Sequence, residues 1–267
     1  MRRLLNSEYE QVERLASLSG IPLDQCPTCL AREEQVAPGV LAFENGTYRF
    51  RGKEYKCDCQ RQMQLRKHYL LANIGDQYMR LDWRDYDGAQ SVRDSVDLYL
   101  DKWTGFKLNG MGVEFASPNL GVGKTFAATY VGKELIKRGE LVYFKPFLEI
   151  ISLYEKDPDY RHREEDRLRD TTVLILDEVV PPVSTAQGQL FATKFEELIR
   201  HRQNFNRVTI MTTNLTPEKL RETYSRTYSL LEAKQMRIEM VGQDARMGKI
   251  AMENIELVAN GEVRPIT

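Results

Sequence analysis

From residue 112 onward, short continuous apolar runs alternate with longer amphipathic stretches. Gly112–Ala116, Leu141–Lys145, Thr171–Glu178 and Val208–Asn214 are apolar runs of strand length with polar residues at their ends. Such runs suit parallel strands covered on both faces. Between them, Lys124–Lys137 carries Ala127, Tyr130, Val131 and Leu135 at helical spacing, and Gly139 supplies a stop. Phe147–Tyr154 and Gln189–Arg202 also read as helices, while a charged stretch runs up to Asp170. The alternation predicts an α/β fold, a doubly wound parallel sheet with helices on both faces and right-handed crossovers.

The earlier part of the chain has another texture. Glu8–Leu18 reads as a short amphipathic helix with Val12, Leu15 and Leu18 on one side. Pro22 to Cys59 is rich in turn residues, with short strands expected at Gly39–Phe43, Tyr48–Arg51 and Glu54–Lys56. Gln60–Ala72 is a basic helix, Asn73–Gly88 a polar and aromatic connector, and Ser91–Trp103 a helix leading to the first core strand. These boundaries predict a small domain over residues 1–72, a linker over 73–90 and a larger domain over 91–267.

The chemistry sits where strand gives way to helix. After Gly112–Ala116 comes Ser117-Pro118-Asn119-Leu120-Gly121-Val122-Gly123-Lys124-Thr125-Phe126. Glycines 121 and 123 let successive backbone N–H groups point into one concavity. Lys124 then reaches the β/γ-phosphates of a nucleotide, and the Thr125 hydroxyl holds Mg²⁺. The helix N-terminus adds its dipole to the same anion site, so Gly121 to Phe126 form the expected ATP-binding run. Pro118 replaces the glycine usual at that place and stiffens the entry. Downstream, Val173-Leu174-Ile175-Leu176 ends in Asp177 and Glu178. Asp177 is placed to hold Mg²⁺ and Glu178 to polarise the attacking water. Together the two motifs define an expected nucleoside-triphosphate hydrolase core. Asn214 ends the next strand, where it either orients the lytic water or caps the turn before Thr216-Pro217-Glu218. Arg226 and Arg246 are candidates for stabilising transition-state charge, and taken singly each also reads as an ordinary surface arginine.

Composition narrows the setting. Net charge is −1 with 29% charged residues, so no global basic field announces nucleic acid. No apolar run reaches membrane-span length and no signal-peptide core follows Met1, which makes a cytoplasmic protein without membrane contact the expectation. The four cysteines, Cys26, Cys29, Cys57 and Cys59, all precede residue 60. In a chain without an export signal, four such thiols point to structural Zn²⁺ rather than disulfides. Between them, Tyr48, Arg49, Phe50, Arg51, Lys53, Tyr55 and Lys56 interleave aromatics with cations. That pattern suits single-stranded nucleic acid, a protein partner, or a merely solvated hairpin.

With these residues in hand, the chain resembles the DnaC/DnaI-type bacterial helicase loaders and their IstB-like relatives in the AAA+ superfamily. The resemblance covers roughly Asp82–Arg246. It rests on Gly121–Thr125, Gly139, Leu174–Glu178, Ile210-Met211-Thr212-Thr213-Asn214 and Gly242-Gln243-Asp244-Ala245-Arg246. It implies an ATPase whose Arg246 plays a sensor-like part and whose cysteine region engages a replicative helicase. The implied activity is ATP-dependent loading of that ring helicase onto single-stranded DNA, by a protein able to self-assemble. Two other readings follow: a transposition ATPase binding duplex DNA and a transposase, or an adaptor that binds ATP with little hydrolysis. One departure stands out in Arg226-Thr227-Tyr228-Ser229-Leu230-Leu231. The family's second arginine there, which acts across a subunit boundary, is replaced by Leu230, so Arg226 becomes the candidate for that charge.

Overall fold

The computed structural model describes residues 1–37, 40–43, 46–181, 186–242 and 249–267. Contacts divide the chain into two units, Met1–Asp85 with Arg246–Thr267, and Tyr86–Ala245. The division therefore falls after Asp85 rather than across residues 73–90. The final segment goes with the first unit, not with the larger domain expected over 91–267.

In the first unit, α1 (Asn6–Leu18) buries Val12 and Ala16 and leaves Leu18 exposed. Two antiparallel hairpins follow, β1 (Glu33–Ala37) with β2 (Val40–Phe43), and β3 (Thr47–Phe50) with β4 (Lys53–Lys56). Sequence reading anticipated three of these strands and not β1; Gly39, the expected start of β2, lies outside the described residues. Next come α2 (Cys59–Leu71), whose first turn is capped by the Asp58 carboxylate accepting from Arg61 N–H at 3.2 Å, and α3 (Asp76–Met79).

The second unit begins with α4 (Gln90–Asp101) and α5 (Trp103–Leu108), then β5 (Gly112–Ala116), α6 (Lys124–Lys137), β6 (Val142–Pro146) and α7 (Phe147–Ile151). It continues through α8 (Pro158–Asp170), β7 (Val173–Val179), α9 (Ala186–Asn204), β8 (Val208–Thr213), α10 (Pro217–Glu232) and β9 (Gln235–Glu239). The charged stretch before Asp170 is thus a helix. Asp157 caps it, accepting from Asp159 N–H at 3.0 Å and Tyr160 N–H at 3.2 Å, and Pro158 opens it. Its residue Leu168 is buried.

The sheet is parallel, in the order β6-β7-β8-β5-β9. Strands β7 and β8 are the apolar ones because both flanks and both faces are covered. Strand β9, Gln-Met-Arg-Ile-Glu, was not anticipated; it is an edge strand, and polar residues are tolerated there. This order lays β8 beside β5, so the turns leaving β5, β7 and β8 open on one end of the sheet. On one face Phe147, Phe191, Phe195 and Tyr224 meet mostly edge to face, with ring centroids 5.1–6.1 Å apart. At the opposite end of the strands the fully buried Arg202 donates to the carbonyls of Leu168 (2.7 Å), Thr171 (3.0 Å) and Val208 (2.5 Å), tying α9 to the starts of β7 and β8.

The chain then returns to the first unit as α11 (Lys249–Ala259) and a C-terminal tail. Buried Gln62 on α2 receives Ile266 N–H at 2.7 Å and donates to Ile266 O at 2.9 Å. The same side chain accepts the Thr28 hydroxyl at 2.6 Å, between two of the cysteines. Arg264 pairs with Asp85 at 2.5 Å, and Tyr69 OH donates to Thr267 O at 2.6 Å. Deleting Val263–Thr267 leaves the Gln62 Oε1 with its Thr28 bond but the buried Nε2 unpaired, at about 1–3 kcal/mol for that group alone. The first unit is expected to melt earlier and, once loaded with zinc, to lose it faster to a chromogenic chelator. Unchanged melting of the truncated protein would show that the tail is dispensable.

Candidate functional site

The phosphate-binding loop is shaped by backbone conformation. Gly121 and Gly123 have φ of +71° and +89°, and α6 starts at Lys124 directly after the left-handed Gly123. A Cβ at 123 would be strained and would lie 3.1 Å from the Tyr86 ring. Tyr86 also stacks on Phe126, with centroids 6.0 Å apart and planes 15° apart. This tyrosine wall was not read from the sequence, since a lone aromatic in a connector has no local signature. Pro118 is exposed and leaves the loop intact, and Asn119 N–H turns back to Ser117 Oγ at 3.2 Å.

Lys124 is 8% exposed, and its ammonium donates to Asn119 O at 2.7 Å and Ser117 O at 3.2 Å. The cation is therefore held over the loop mouth by carbonyls. A polyphosphate would offer it stronger, charge-assisted partners. Thr125 Oγ1 donates to the Asp177 carboxylate, at 2.9 Å to one oxygen and 3.3 Å to the other. The two expected Mg²⁺ ligands from α6 and β7 are thus side by side, an all-oxygen set that suits a hard divalent cation.

Thr212, within β8 and fully buried, completes the arrangement. Its hydroxyl donates to Asp177 Oδ1 at 2.7 Å and accepts Glu178 N–H at 2.9 Å. Glu178 has φ of +56°, a left-handed backbone at a bulge where the β7–β8 register slips between Leu176 and Val179. Its side chain is exposed, as a group meant for solvent or substrate would be. Thr212 thus holds both acids, and the sequence reading passed over it. The Thr-Thr-Asn string around it was the available signal.

Asn214 follows β8, whose Thr213 sits in register with Ala116 on one side and Val179 on the other. Its Oδ1 is buried without a hydrogen-bond partner among the described residues. A buried acceptor of this kind costs free energy unless water or ligand meets it, which fits the water-orienting expectation. Of the two expected arginines, only Arg226 is among the described residues. Arg226 is exposed on α10, one residue after a kink where Ser225 has φ of +4° and ψ of −79°. Leu230 is half-buried against the aromatic cluster, and its carbonyl accepts from Gln203 Nε2 at 2.5 Å. It fills a packing role rather than marking an open place for an arginine. Arg246 lies outside the described residues, as do Gln243, Asp244 and Ala245 of the same motif.

In the first unit the sulfurs of Cys26, Cys29, Cys57 and Cys59 all lie within 4.8 Å of one another. Cys26 and Cys57 are 3.6 Å apart, and Cys29 and Cys59 are 3.4 Å apart. A tetrahedral zinc with bonds of about 2.3 Å needs sulfurs about 3.8 Å apart, so the set fits. The first pair sits on a tight turn closed by Leu30 N–H to Cys26 O at 3.0 Å. Cys57 follows β4 and Cys59 opens α2, which is how the tighter spacing brings both thiols inward. Two of the thiols resist ionising, whereas at Cys29 burial is outweighed by an Ala31 backbone contact and the neighbouring thiols, which hold it below the usual thiol range. Burial first, then the neighbouring thiols, push Cys57 well above the usual thiol range. Burial likewise pushes Cys59 up to about 11, with the neighbouring thiols adding to the rise and a Gly46 backbone contact opposing it.

Among the described residues, no helix is long and apolar enough to cross a membrane. No family model matches the chain, and no curated protein sequence does. Solved structures do match. A DnaI crystal structure aligns at TM-score 0.52 and 18% identity, over 62% of this chain and 94% of that one. A DnaC helicase loader aligns at TM-score 0.53 and 17% identity, over 62% of this chain and 100% of that one. A replication initiator, DnaA bound to AMPPCP and single-stranded DNA, aligns at TM-score 0.51 and 16% identity, over 71% and 57%. At these identities the likeness is one of fold alone: the chain shares the parallel-sheet α/β fold of the DnaI and DnaC structures, and it also has a four-cysteine cluster that fits zinc.

Proposed function

We propose that the protein is an ATP-driven loader that places a replicative ring helicase on single-stranded DNA and grips the helicase through its cysteine unit. The observation that carries this reading is the Lys124–Thr125–Asp177–Thr212 cluster at the mouth of the loop, in the same chain as a four-thiol cluster. In this reading Lys124 neutralises the β/γ-phosphates, and Thr125 with Asp177 would hold Mg²⁺, which supplies positive charge to the same oxygens. Glu178 takes the proton of the attacking water while Asn214 orients it. Cys26, Cys29, Cys57 and Cys59 would hold Zn²⁺ and thereby fix the cysteine unit.

The test is capture of partners by the full-length protein with ATP present. The segment 1–72 alone is unsuitable as bait, because α2 depends on Ile266 and Thr267. Retention of a hexameric helicase is the expected result. A transposase together with preference for duplex DNA would overturn the reading.

Thr212→Val keeps the side-chain shape and removes the hydroxyl that spans the two acids. Nucleotide affinity should change little, while kcat falls by about tenfold or more, matching loss of one bond to a charged group. A kcat equal to the parent's would mean that the bulge alone positions Glu178. Arg226 makes no ion pair with another described residue, and we assign it the charge delivered to a neighbouring subunit. Arg226→Ala should lower turnover by about a thousandfold or more at protein concentrations where subunits assemble, with ATP binding retained. The half-buried Leu230 favours the adaptor alternative instead, in which turnover is slow from the start and Arg226→Ala changes nothing.

A further inference from the structure

The β3–β4 ribbon has a composition that its place in the fold does not explain. All four residues of β4 are exposed, and β3 alternates exposed and half-buried positions, so this ribbon is not a core element. Its turn is set by Arg51 and Gly52, with φ of +51° and +73°, and the turn is held by Glu262 accepting Gly52 N–H at 2.8 Å. At its base Cys57 N–H donates to Gly46 O at 2.8 Å, and Val263 N–H donates to Arg49 O at 2.8 Å. Anchored this way, and with Tyr48 packed against the cysteine cluster, the ribbon needs neither a further exposed ring nor a cluster of cations for its own stability.

It has both. Tyr48 and Tyr55 face each other across the strands and stack, with centroids 5.5 Å apart and planes 22° apart. Tyr55 is 41% exposed, which leaves ring surface for a further planar group. Phe50 pairs with Lys53 on the same face, while Arg49 and Lys56 lie on the other. Between Thr47 and Lys56 there are four cations and one acid, Glu54, in a chain whose net charge is −1. Arg51 is occupied by Glu253 at 3.4 Å, so the cations offered outward are Arg49, Lys53 and Lys56.

We propose that the Tyr48–Tyr55 face of this ribbon binds single-stranded nucleic acid, with a base stacked on Tyr55 and a phosphate on Lys53, which shares that face. Every base has a flat face, so a ring with flanking cations binds single strands with little sequence preference. An acidic or apolar protein segment would use the charges or the rings, whereas this chemistry uses both. The inference deepens the loader reading, on which it rests, by assigning a strand contact to the cysteine unit.

The experiment uses full-length, zinc-containing protein and a fluorescein-labelled oligothymidylate read by anisotropy. Tyr55→Ala should weaken binding by about five- to a hundredfold, while Tyr55→Phe keeps it. Lys53→Gln should flatten the dependence of log affinity on log salt by about 0.7, one phosphate's worth for a single strand. Zinc content and ATP binding, measured on the same variants, should equal the parent's. If the parent binds the oligonucleotide and these variants bind it equally, the ribbon proposal is overturned and the loader reading stands. If no form binds it, the proposal falls together with the single-strand part of that reading. Weakened capture of a ring helicase with unchanged oligonucleotide affinity would also overturn it, and would make the ribbon a protein contact.

Discussion

Lys124→Ala is expected to abolish ATP binding at ordinary nucleotide concentrations, and Glu178→Gln to preserve binding while stopping turnover. Lys124 is a buried ammonium held 2.7 Å from Asn119 O, at the start of a helix whose dipole already favours an anion. Removing it withdraws the point charge from a polyphosphate whose remaining contacts are backbone N–H groups. Truncating one member of such a buried charge pair costs about 2–5 kcal/mol, which is roughly thirtyfold to several thousandfold in Kd. Glu178→Gln acts elsewhere. Asp177 keeps its bonds from Thr125 and Thr212, so the expected metal ligands survive. What disappears is the base for the attacking water, a loss of about a hundred- to ten-thousandfold in kcat. Equilibrium binding of a fluorescent ATP analogue and steady-state phosphate release separate the two effects. Parental turnover in the Gln variant would remove Glu178 from the mechanism.

The second large effect is expected at the cysteines. Cys57→Ser should release the metal and unfold the hairpin region between Cys26 and Cys59, in the unit formed by Met1–Asp85 and Arg246–Thr267. Binding of a structural zinc by four thiolates is worth about 10–16 kcal/mol near neutral pH. That equals or exceeds the whole stability of a typical small domain, about 5–15 kcal/mol. Around the hairpins little else is buried: the cluster's members are Cys26, Cys57 and Cys59, with Cys29, Ala31 and Tyr48 packed around them. The helices and tail of the same unit keep apolar residues of their own, among them Val12, Leu65, Tyr69 and Ile266. Elemental analysis of protein purified without added metal should find one zinc per chain, and none in the Ser variant. Rapid proteolysis should then cut the first unit while nucleotide binding by the second persists. Metal-free parent protein that resists proteolysis across Met1–Asp85 would show the thiols to be ordinary core residues.

Much of the nucleotide-site half was legible before folding was considered. Strand Gly112–Ala116 and helix Lys124–Lys137 fall where the apolar runs and the Gly-Val-Gly-Lys-Thr turn place them. The reason is local: a buried parallel strand must be continuously apolar, and a phosphate loop must have glycine where φ is positive. The helix Pro158–Asp170 shows in the sequence only as a charged stretch because Leu168 is its one buried residue, although its start signal, Asp157-Pro158, is present. Strand Gln235–Glu239 was not legible, because at a sheet edge the backbone ladder to β5 holds a segment whose side chains carry no strand pattern.

The sequence by itself determined the phosphate loop, the strand that ends in Asp177 and Glu178, and the set of four cysteines. Each is a run of neighbouring residues, or a rare residue type, whose chemistry needs no knowledge of distant partners. The tertiary structure alone decided four other things. Thr212 spans Asp177 and the backbone of Glu178; Glu178 adopts a left-handed conformation. Leu230 turns toward the core, and the residues around Ile266 join the cysteine unit through Gln62. These pairings link positions about two hundred residues apart in one case, or neighbours on separate strands in another. Which partner each side chain finds is set by sheet order and by the burial of whole faces, and those are properties of the packed chain rather than of any local stretch of it.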